Sequence, residues 1–184
     1  MYEGTNPKAL QSMKRIEDAL VKLMRDTPYE SVSVTAICKE AGISRPTFYK
    51  NFNDKDEVIS SVFGKAFDRA KERFRAEGSL EVRDAVRLFI AQFDDKELSR
   101  RILSNGKLFE LFQARLLESL SSETGSIADA AWPPERINYL HAFYSGGLAC
   151  LLLYWGRQND SVSVDELGEI AANLVDGTAF RCLQ

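Results

Sequence analysis

Apolar residues recur at helical spacing along most of the chain. Near the N-terminus, Met13, Ile16 and Leu20 line one face of a segment whose other positions are largely charged. This pattern predicts an amphipathic helix that starts near Pro7 and ends before Pro28, since the residue before proline avoids the helical region. No stretch alternates apolar and polar residues for long enough to predict a strand. The chain is therefore expected to be all-α.

Residues 33–52 divide into two short helical segments separated by a glycine. Ser33 suits the N-cap of the first segment, and Gly42 can adopt the left-handed conformation that ends it. Ser44 suits the N-cap of the second segment, and Pro46 falls in its first turn, where a missing N–H costs nothing. Two short helices around such a turn predict a helix-turn-helix unit, whose second helix enters the major groove of DNA.

Longer helices are expected in the remainder of the chain. Asp54 and Glu57 form a capping box at the start of a long amphipathic helix that extends toward Glu77. Further helices are indicated over residues 82–93, after the Asn105-Gly106 turn, over residues 135–157 and from Ser163, with a loop over residues 121–134.

Four short motifs follow one another through the helix-turn-helix segment. They read VTAI at 34–37, AGIS at 41–44, TFYKNF at 47–52 and KDEV at 55–58. In this order they resemble the DNA-binding domain of the tetracycline-repressor-like (TetR/AcrR) family of bacterial regulators, over residues 10–63. The resemblance implies a three-helix DNA-binding domain at residues 8–55. A long fourth helix would join it to a helical regulatory and dimerisation domain at residues 56–184.

Side-chain chemistry and the resemblance together indicate which residues contact DNA. Arg45 can form two hydrogen bonds with a guanine edge, and Tyr49 and Lys50 suit phosphate oxygens. Thr35 and Lys55 lie at helix N-termini, where main-chain N–H groups favour phosphate. The complete set of expected DNA contacts is Ser33, Thr35, Ser44, Arg45, Pro46, Thr47, Tyr49, Lys50 and Lys55. Phe48 and Phe52 are expected to fill the small core instead.

Charge is distributed unevenly along the sequence. The whole chain has a net charge of −3, but its first 55 residues carry nine basic and seven acidic side chains, for a net charge of +2. The remaining residues carry fifteen basic and twenty acidic side chains, for a net charge of −5. This asymmetry has the sign expected if the N-terminal end meets phosphate.

Other functional classes find little support in the sequence. There is no glycine-rich phosphate loop, no cluster of metal ligands and no Ser/His/Asp grouping, so neither an enzyme nor a cofactor or metal site is expected. Cys38, Cys150 and Cys182 are expected to be small buried thiols. The longest apolar run, near 146–155, is too short to cross a membrane, and no secretory leader is visible. A cytoplasmic protein without a membrane partner is expected.

The C-terminal part is rich in aromatic residues. In the TetR/AcrR family such helices often hold a small molecule, so the resemblance implies a small apolar or aromatic effector. The alternative is that these side chains simply fill a core. The candidate pocket residues are Phe89, Phe93, Phe109, Phe112, Tyr139, His141, Phe143 and Tyr144.

The resemblance also implies a homodimer formed by the last two helices. The candidate interface residues are Gly146, Gly147, Leu148, Leu152, Leu167, Ile170 and Leu174, of which the small ones permit close helix approach. The alternative is that these faces pack only within the monomer. Segment 141–148, followed by Trp155, resembles the subgroup typified by the regulator of dihydroxyacetone kinase genes.

The sequence thus predicts a DNA-binding transcriptional regulator that binds a palindromic double-stranded operator as a homodimer. A repressor released by an effector is the expected form. The alternative is a protein-interaction adaptor or co-activator that uses the same fold with a partner regulator.

Overall fold

The computed structural model describes residues 6–77, 96–121, 133–158 and 162–175. Across these ranges the chain forms eight α-helices and one 3-10 helix, without a strand, which confirms the all-α prediction. The first group of elements is α1 (Pro7–Leu23), the 3-10 helix (Tyr29–Ser31), α2 (Val34–Ala41), α3 (Arg45–Asn51) and α4 (Lys55–Glu77). The second group is α5 (Lys96–Ser104), α6 (Gly106–Ser121), α7 (Pro134–Arg157) and α8 (Val164–Val175).

The helix boundaries follow from capping chemistry that is visible in the sequence. At α4, the main-chain N–H of Glu57 donates to Asp54 Oδ1 at 2.8 Å, and the carboxylate of Glu57 accepts from the N–H of Asn53 at 2.7 Å. At α8, Ser163 and Glu166 satisfy each other's main-chain N–H groups in the same way. The capping box predicted at Asp54 and Glu57 is therefore confirmed, and the helix predicted from Ser163 begins at a second capping box. The helix predicted over residues 82–93 lies outside the described residues, as does nearly all of the loop predicted over 121–134.

Compact packing divides the chain into an N-terminal unit (Met1–Phe63) and a C-terminal unit (Gly64–Gln184). The division falls within α4, so the first turns of this helix belong to the N-terminal unit. In that unit, α1 packs against α2 and α3. Its largest fully buried side chains are Ile16, Leu20, Ile37, Phe48, Phe52, Ile59 and Phe63. Buried Glu17 on α1 accepts a hydrogen bond from the hydroxyl of buried Ser61 on α4 at 2.7 Å.

In the C-terminal unit, α5, α6 and α7 pack against one another, and α8 packs against α7. Leu98, Ile102, Leu103 and Phe112 are fully buried there. The indole N–H of Trp155 donates to the carbonyl of Val162 at 3.0 Å, which ties the end of α7 to the start of α8. None of the helices in the described ranges combines the length and apolarity that a bilayer crossing requires.

Candidate nucleic-acid interface

The turn between α2 and α3 has the geometry that the sequence predicts. Ser33 caps α2 by accepting a hydrogen bond from the N–H of Ala36 at 3.1 Å. Gly42 ends α2 at φ 62°, in the left-handed region where a Cβ is unfavourable. Ser44 then caps α3 by accepting from the N–H of Thr47 at 3.3 Å. These residues form a helix-turn-helix unit.

Two aromatic residues anchor α3 on one side. Phe48 and Phe52 are both essentially inaccessible to solvent, and their ring centroids lie 6.2 Å apart. Asn51 is also buried, and its side-chain amide donates to the carbonyl of Thr47 at 2.7 Å. The expectation that Phe48 and Phe52 fill the small core is confirmed. Because one side of this seven-residue helix is fixed inward, its other side is presented to solvent.

The outward side of α3 carries the side chains that the sequence assigns to DNA. Arg45, Pro46, Tyr49 and Lys50 are exposed, and Thr47 is half-buried. The hydroxyl of Thr47 lies 2.8 Å from that of Ser44, so both hydroxyls take part in capping the helix. The structure thus brings a guanidinium, an ammonium and a phenol together on one short exposed helix.

Arg45 does not extend freely into solvent. Its Nη1 donates to the hydroxyl of Thr35 on α2 at 3.1 Å. Its Nη2 lies 3.5 Å from the hydroxyl of Tyr49, at the long limit for a hydrogen bond, and the guanidinium carbon lies 5.9 Å from the centroid of that ring. The guanidinium is therefore held between the two helices by neutral hydroxyl groups.

Lys55 occupies a different position from the other basic residues of the predicted set. Its ammonium donates to the carbonyls of Tyr29, Glu30 and Val32 at 2.7, 3.0 and 3.0 Å, and lies 4.6 Å from the ring centroid of Tyr29. An ammonium has three donors, and all three are used here. The side chain of Lys55 thus caps the 3-10 helix and is not available to phosphate. Only its main-chain N–H remains for the predicted contact.

The 3-10 helix is tied to α4 by a second contact. The hydroxyl of Tyr29 donates to Asp56 Oδ1 at 2.5 Å. Burial, followed by the hydrogen bond to the Asp56 carboxylate, raises the pKa of Tyr29 far above its ordinary value, so the phenol stays protonated. The sequence pattern around Tyr29 does not predict this role.

Arg15 is a further contributor that the sequence analysis missed. Its guanidinium donates to the carbonyl of Gly42 at 3.2 Å, so α1 braces the turn of the helix-turn-helix unit. Nearby, Lys22 on α1 forms an exposed ion pair with Glu40 on α2. Such a pair contributes little to stability because water screens it. Arg15 lies on the charged face of α1, so no local sequence pattern distinguishes it from a residue that contacts only solvent.

Comparison with known proteins agrees with this geometry. Residues 16–62 match the family model described as bacterial regulatory proteins, tetR family. The helix-turn-helix part of the chain is therefore similar to the DNA-binding domain of the TetR family. The match begins within α1 and ends within α4, so it includes the whole of α2, the turn and α3.

Curated proteins that are similar to this chain are transcriptional regulators by name. The HTH-type transcriptional regulator EthR of Mycolicibacterium smegmatis is 27% identical over 59% of this chain and 55% of its own length. This chain thus spans about half the length of that relative.

Solved structures share the fold over almost the entire chain. The dihydroxyacetone kinase operon activator DhaS has a TM-score of 0.60 at 18% identity and matches 91% of this chain and 95% of its own. FadR of Thermus thermophilus, a repressor solved with lauroyl-CoA, has a TM-score of 0.54 at 19% identity, with 89% and 92% matched. At these identities the likeness concerns the fold alone.

The C-terminal unit presents an apolar stripe on α7. Tyr139, Phe143 and Tyr154 are 76%, 70% and 65% exposed, although they are large aromatic residues. Their spacing of four and eleven residues places them on one side of the helix, together with exposed Gly147 and Cys150. These five residues are called the α7 stripe below. Exposed apolar patches of this kind mark interaction surfaces.

An apolar groove runs beside the stripe, between α7 and α8. It has a volume of about 130 Å³ and is lined by Phe143, Tyr144, Gly147, Leu148, Leu151, Ala171, Leu174 and Val175. A smaller polar cavity of about 120 Å³ lies between the second half of α4 and α6, beside Arg115. Both are well below the ~300 Å³ at which cavities typically hold a drug-sized ligand.

The structure separates the predicted pocket residues instead of bringing them together. Phe112 and His141 are buried, and Phe109 is half-buried. Tyr139 lies on the outer surface. Phe143 is also largely exposed, but it lines the groove between α7 and α8 together with half-buried Tyr144. Phe89 and Phe93 lie outside the described residues. Among the described members of the set, only Phe143 and Tyr144 line the groove between α7 and α8.

The predicted interface residues are also divided. Ile170 and Leu174 on α8 are each 40% exposed, Gly147 is exposed, and Gly146 and Leu148 are half-buried. Leu152 and Leu167 are buried in the core of the C-terminal unit, because α8 packs on α7, and they offer little area to a partner.

The two described cysteines differ in their exposure to solvent. Cys38 is buried, and burial raises the pKa of its thiol. Cys150 is exposed, which corrects the expectation that it is buried, and Cys182 lies outside the described residues. Within the described ranges, no group of three or more His, Cys, Asp or Glu side chains is placed to hold a metal ion.

Proposed function

We propose that this chain is a TetR-family transcriptional repressor that binds a palindromic operator as a homodimer through α3. The observation that carries the proposal is the exposure of Arg45, Tyr49 and Lys50 on a helix whose opposite side is anchored by buried Phe48 and Phe52. An α-helix with its side chains is about 10–12 Å in diameter, which fits a major groove about 12 Å wide. Arg45, at the first position of the helix, would face the base edges.

The dimer part of the proposal is supported by the α7 stripe and the groove beside it. A helix with three exposed aromatic residues on one side leaves apolar area in water unless another surface covers it. A second copy of the chain would place α7 and α8 against their counterparts. Two protomers would then read half-sites separated by about 34–36 Å, or one turn of DNA.

The effector part of the proposal is supported by the position of α4. Its first turns belong to the N-terminal unit, and its later turns belong to the C-terminal unit, where Phe67 contacts Phe112 at a centroid distance of 5.5 Å. A ligand that favours one arrangement of these helices would shift the population away from the DNA-binding state. An apolar or aromatic small molecule is the class proposed. A screen for compounds that raise the melting temperature identifies it.

The experiment that tests the proposal is selection of duplexes from a random library, followed by a mobility-shift titration on the selected sequence. The expected result is an inverted repeat bound by two protomers, with affinity that falls as salt concentration rises. A promoter fused to this sequence should be less active when the protein is present. Failure of the intact, folded protein to retain any duplex at low salt would contradict the proposal.

A second candidate is an adaptor or co-activator that acts through a partner regulator. The feature that favours it is the large exposed aromatic area of the α7 stripe, which suits a different protein as well as a second copy. An adaptor would fail to bind duplexes alone and would remain a monomer in the absence of the partner. Both outcomes are read from the experiment above together with a measurement of mass in solution.

A further inference from the structure

The contact between Thr35 and Arg45 joins the two helices of the helix-turn-helix unit. Thr35 lies in the first turn of α2 and Arg45 is the first residue of α3, yet the hydroxyl of one accepts a hydrogen bond from the guanidinium of the other at 3.1 Å. Both side chains are exposed. An exposed arginine ordinarily samples many rotamers, so a specific contact between two helices restricts the directions in which it points.

The chemistry of the acceptor decides what this contact can do. A carboxylate would neutralise the guanidinium and compete with DNA, whereas a hydroxyl is neutral and occupies one of five N–H donors. Tyr49 also adjoins this group, with 5.9 Å between the guanidinium carbon and the ring centroid. Arg45 therefore keeps its full charge and most of its donors while its orientation is restricted.

We infer that Thr35 is a positioning residue, which orients Arg45 to recognise a guanine in each half-site. This inference rests on the proposed function, because it assigns a role within the same DNA-binding site. It concerns the hydroxyl of Thr35, whereas the phosphate contact expected at this position uses a main-chain N–H group. Orientation before binding reduces the entropy lost when a fork-shaped side chain makes two hydrogen bonds with one base. Thr35 thus contributes to specificity without touching the base.

The two roles of Thr35 predict different effects on binding. A phosphate contact is independent of sequence, and its loss would weaken binding to every duplex. A positioning residue affects the ratio of affinities for the correct and the incorrect base. The hydroxyl carries no charge, so its loss should leave the slope of log affinity against log salt unchanged in either role, and discrimination between bases is the measurement that separates them.

The experiment compares Thr35→Val, Thr35→Ser and Arg45→Ala with the wild-type protein. The duplexes are the one selected by the wild-type protein and variants with adenine in place of each guanine. Arg45→Ala identifies the guanine that Arg45 contacts, because this variant should no longer distinguish guanine from adenine at that position. Valine is close to threonine in shape but lacks the hydroxyl. We expect Thr35→Val to reduce discrimination at this guanine about tenfold, with the wild-type salt slope, and Thr35→Ser to restore it.

The opposite outcomes are equally clear. Thr35→Val could bind all duplexes more weakly by the same factor and keep its discrimination between guanine and adenine. This result would mean that the hydroxyl of Thr35 contacts phosphate, and it would overturn the inference. Equal loss in the valine and serine variants would also overturn it. Melting temperatures near that of the wild type show that each variant is folded. If the wild-type protein selects no duplex at all, the proposed function fails first, so the two failures are distinguishable.

Discussion

The ammonium of Lys55 lies 2.7 Å from the main-chain carbonyl of Tyr29, a residue twenty-six positions earlier in the chain. Together with the carbonyls of Glu30 and Val32, this contact fixes the start of α4 to the end of the 3-10 helix. Lys50, five residues before Lys55, is exposed on the outward side of α3. The two lysines therefore have different tasks, although both belong to motifs that resemble those of a DNA-binding domain.

Replacement of each lysine by methionine should separate these tasks. Lys55→Met leaves three carbonyls without their charged donor, so we expect a loss of about 1–3 kcal/mol in the free energy of unfolding. Lys50→Met, as the matched control, should stay within about 0.5 kcal/mol of the wild type. It should instead weaken DNA binding and reduce the salt slope by about 0.9. Urea denaturation and DNA titration measure both effects, and a wild-type urea midpoint for Lys55→Met would contradict the assignment.

Gly42 should be the glycine of the N-terminal unit that is most sensitive to substitution. Its φ of 62° lies in the left-handed region, and an added Cβ would lie 2.7 Å from Nη2 of Arg15. We expect Gly42→Ala to lower the free energy of unfolding by about 1–3 kcal/mol. Gly106→Ala is the control, since no atom lies within 4 Å of its added Cβ, and there alanine should be neutral or stabilising. Equal effects at the two positions would refute this account.

Local chemistry explains which parts of this fold the sequence predicts. Ser33, Ser44 and the Ser163–Glu166 box act on main-chain groups within three residues, so their roles are visible in a short window of sequence. The same holds for Phe48 and Phe52, whose spacing on a short helix points to a common buried side.

Contacts over long distances in the chain explain what the sequence does not predict. The ammonium of Lys55 and the guanidinium of Arg15 act on carbonyls twenty-three to twenty-seven positions away, and no local pattern reveals those partners. On α7, apolar residues surround the helix, so the sequence cannot say which side the monomer covers. For this reason the sequence suggested a pocket at Tyr139 and Phe143, whereas both side chains lie on the surface.

The α7 stripe should govern self-association. Phe143 is 70% exposed and also lines the groove between α7 and α8, so Phe143→Glu places a charge in the proposed interface. We expect this variant to sediment as a monomer, with DNA affinity reduced at least tenfold because the two half-sites are no longer bound together. Leu117→Glu on α6, where leucine is 37% exposed, is the control and should remain dimeric. A dimeric Phe143→Glu variant would locate the interface elsewhere.

The capping box of α8 should make stability depend on pH in the acid range. The main-chain N–H of Ser163, 2.8 Å from the carboxylate, lowers the pKa of Glu166 below its ordinary value. Because the folded pKa is the lower one, this stabilisation is complete above the unfolded pKa of about 4.3 and is lost as the pH falls through the folded pKa. The difference in urea midpoint between the wild type and Glu166→Gln should shrink as the pH is lowered below about 4. A constant difference would rule out this role.

The most direct test of the account is the DNA affinity of the Arg45→Ala/Lys50→Ala double variant on the duplex that the wild-type protein selects. Both residues are exposed on the outward side of α3, so the variant should retain the wild-type melting temperature. We predict that its affinity falls by two orders of magnitude or more. Loss of the base contact alone should cost roughly 1–3 kcal/mol of binding free energy. A folded double variant that binds this duplex as tightly as the wild type would show that α3 is not the DNA-reading helix.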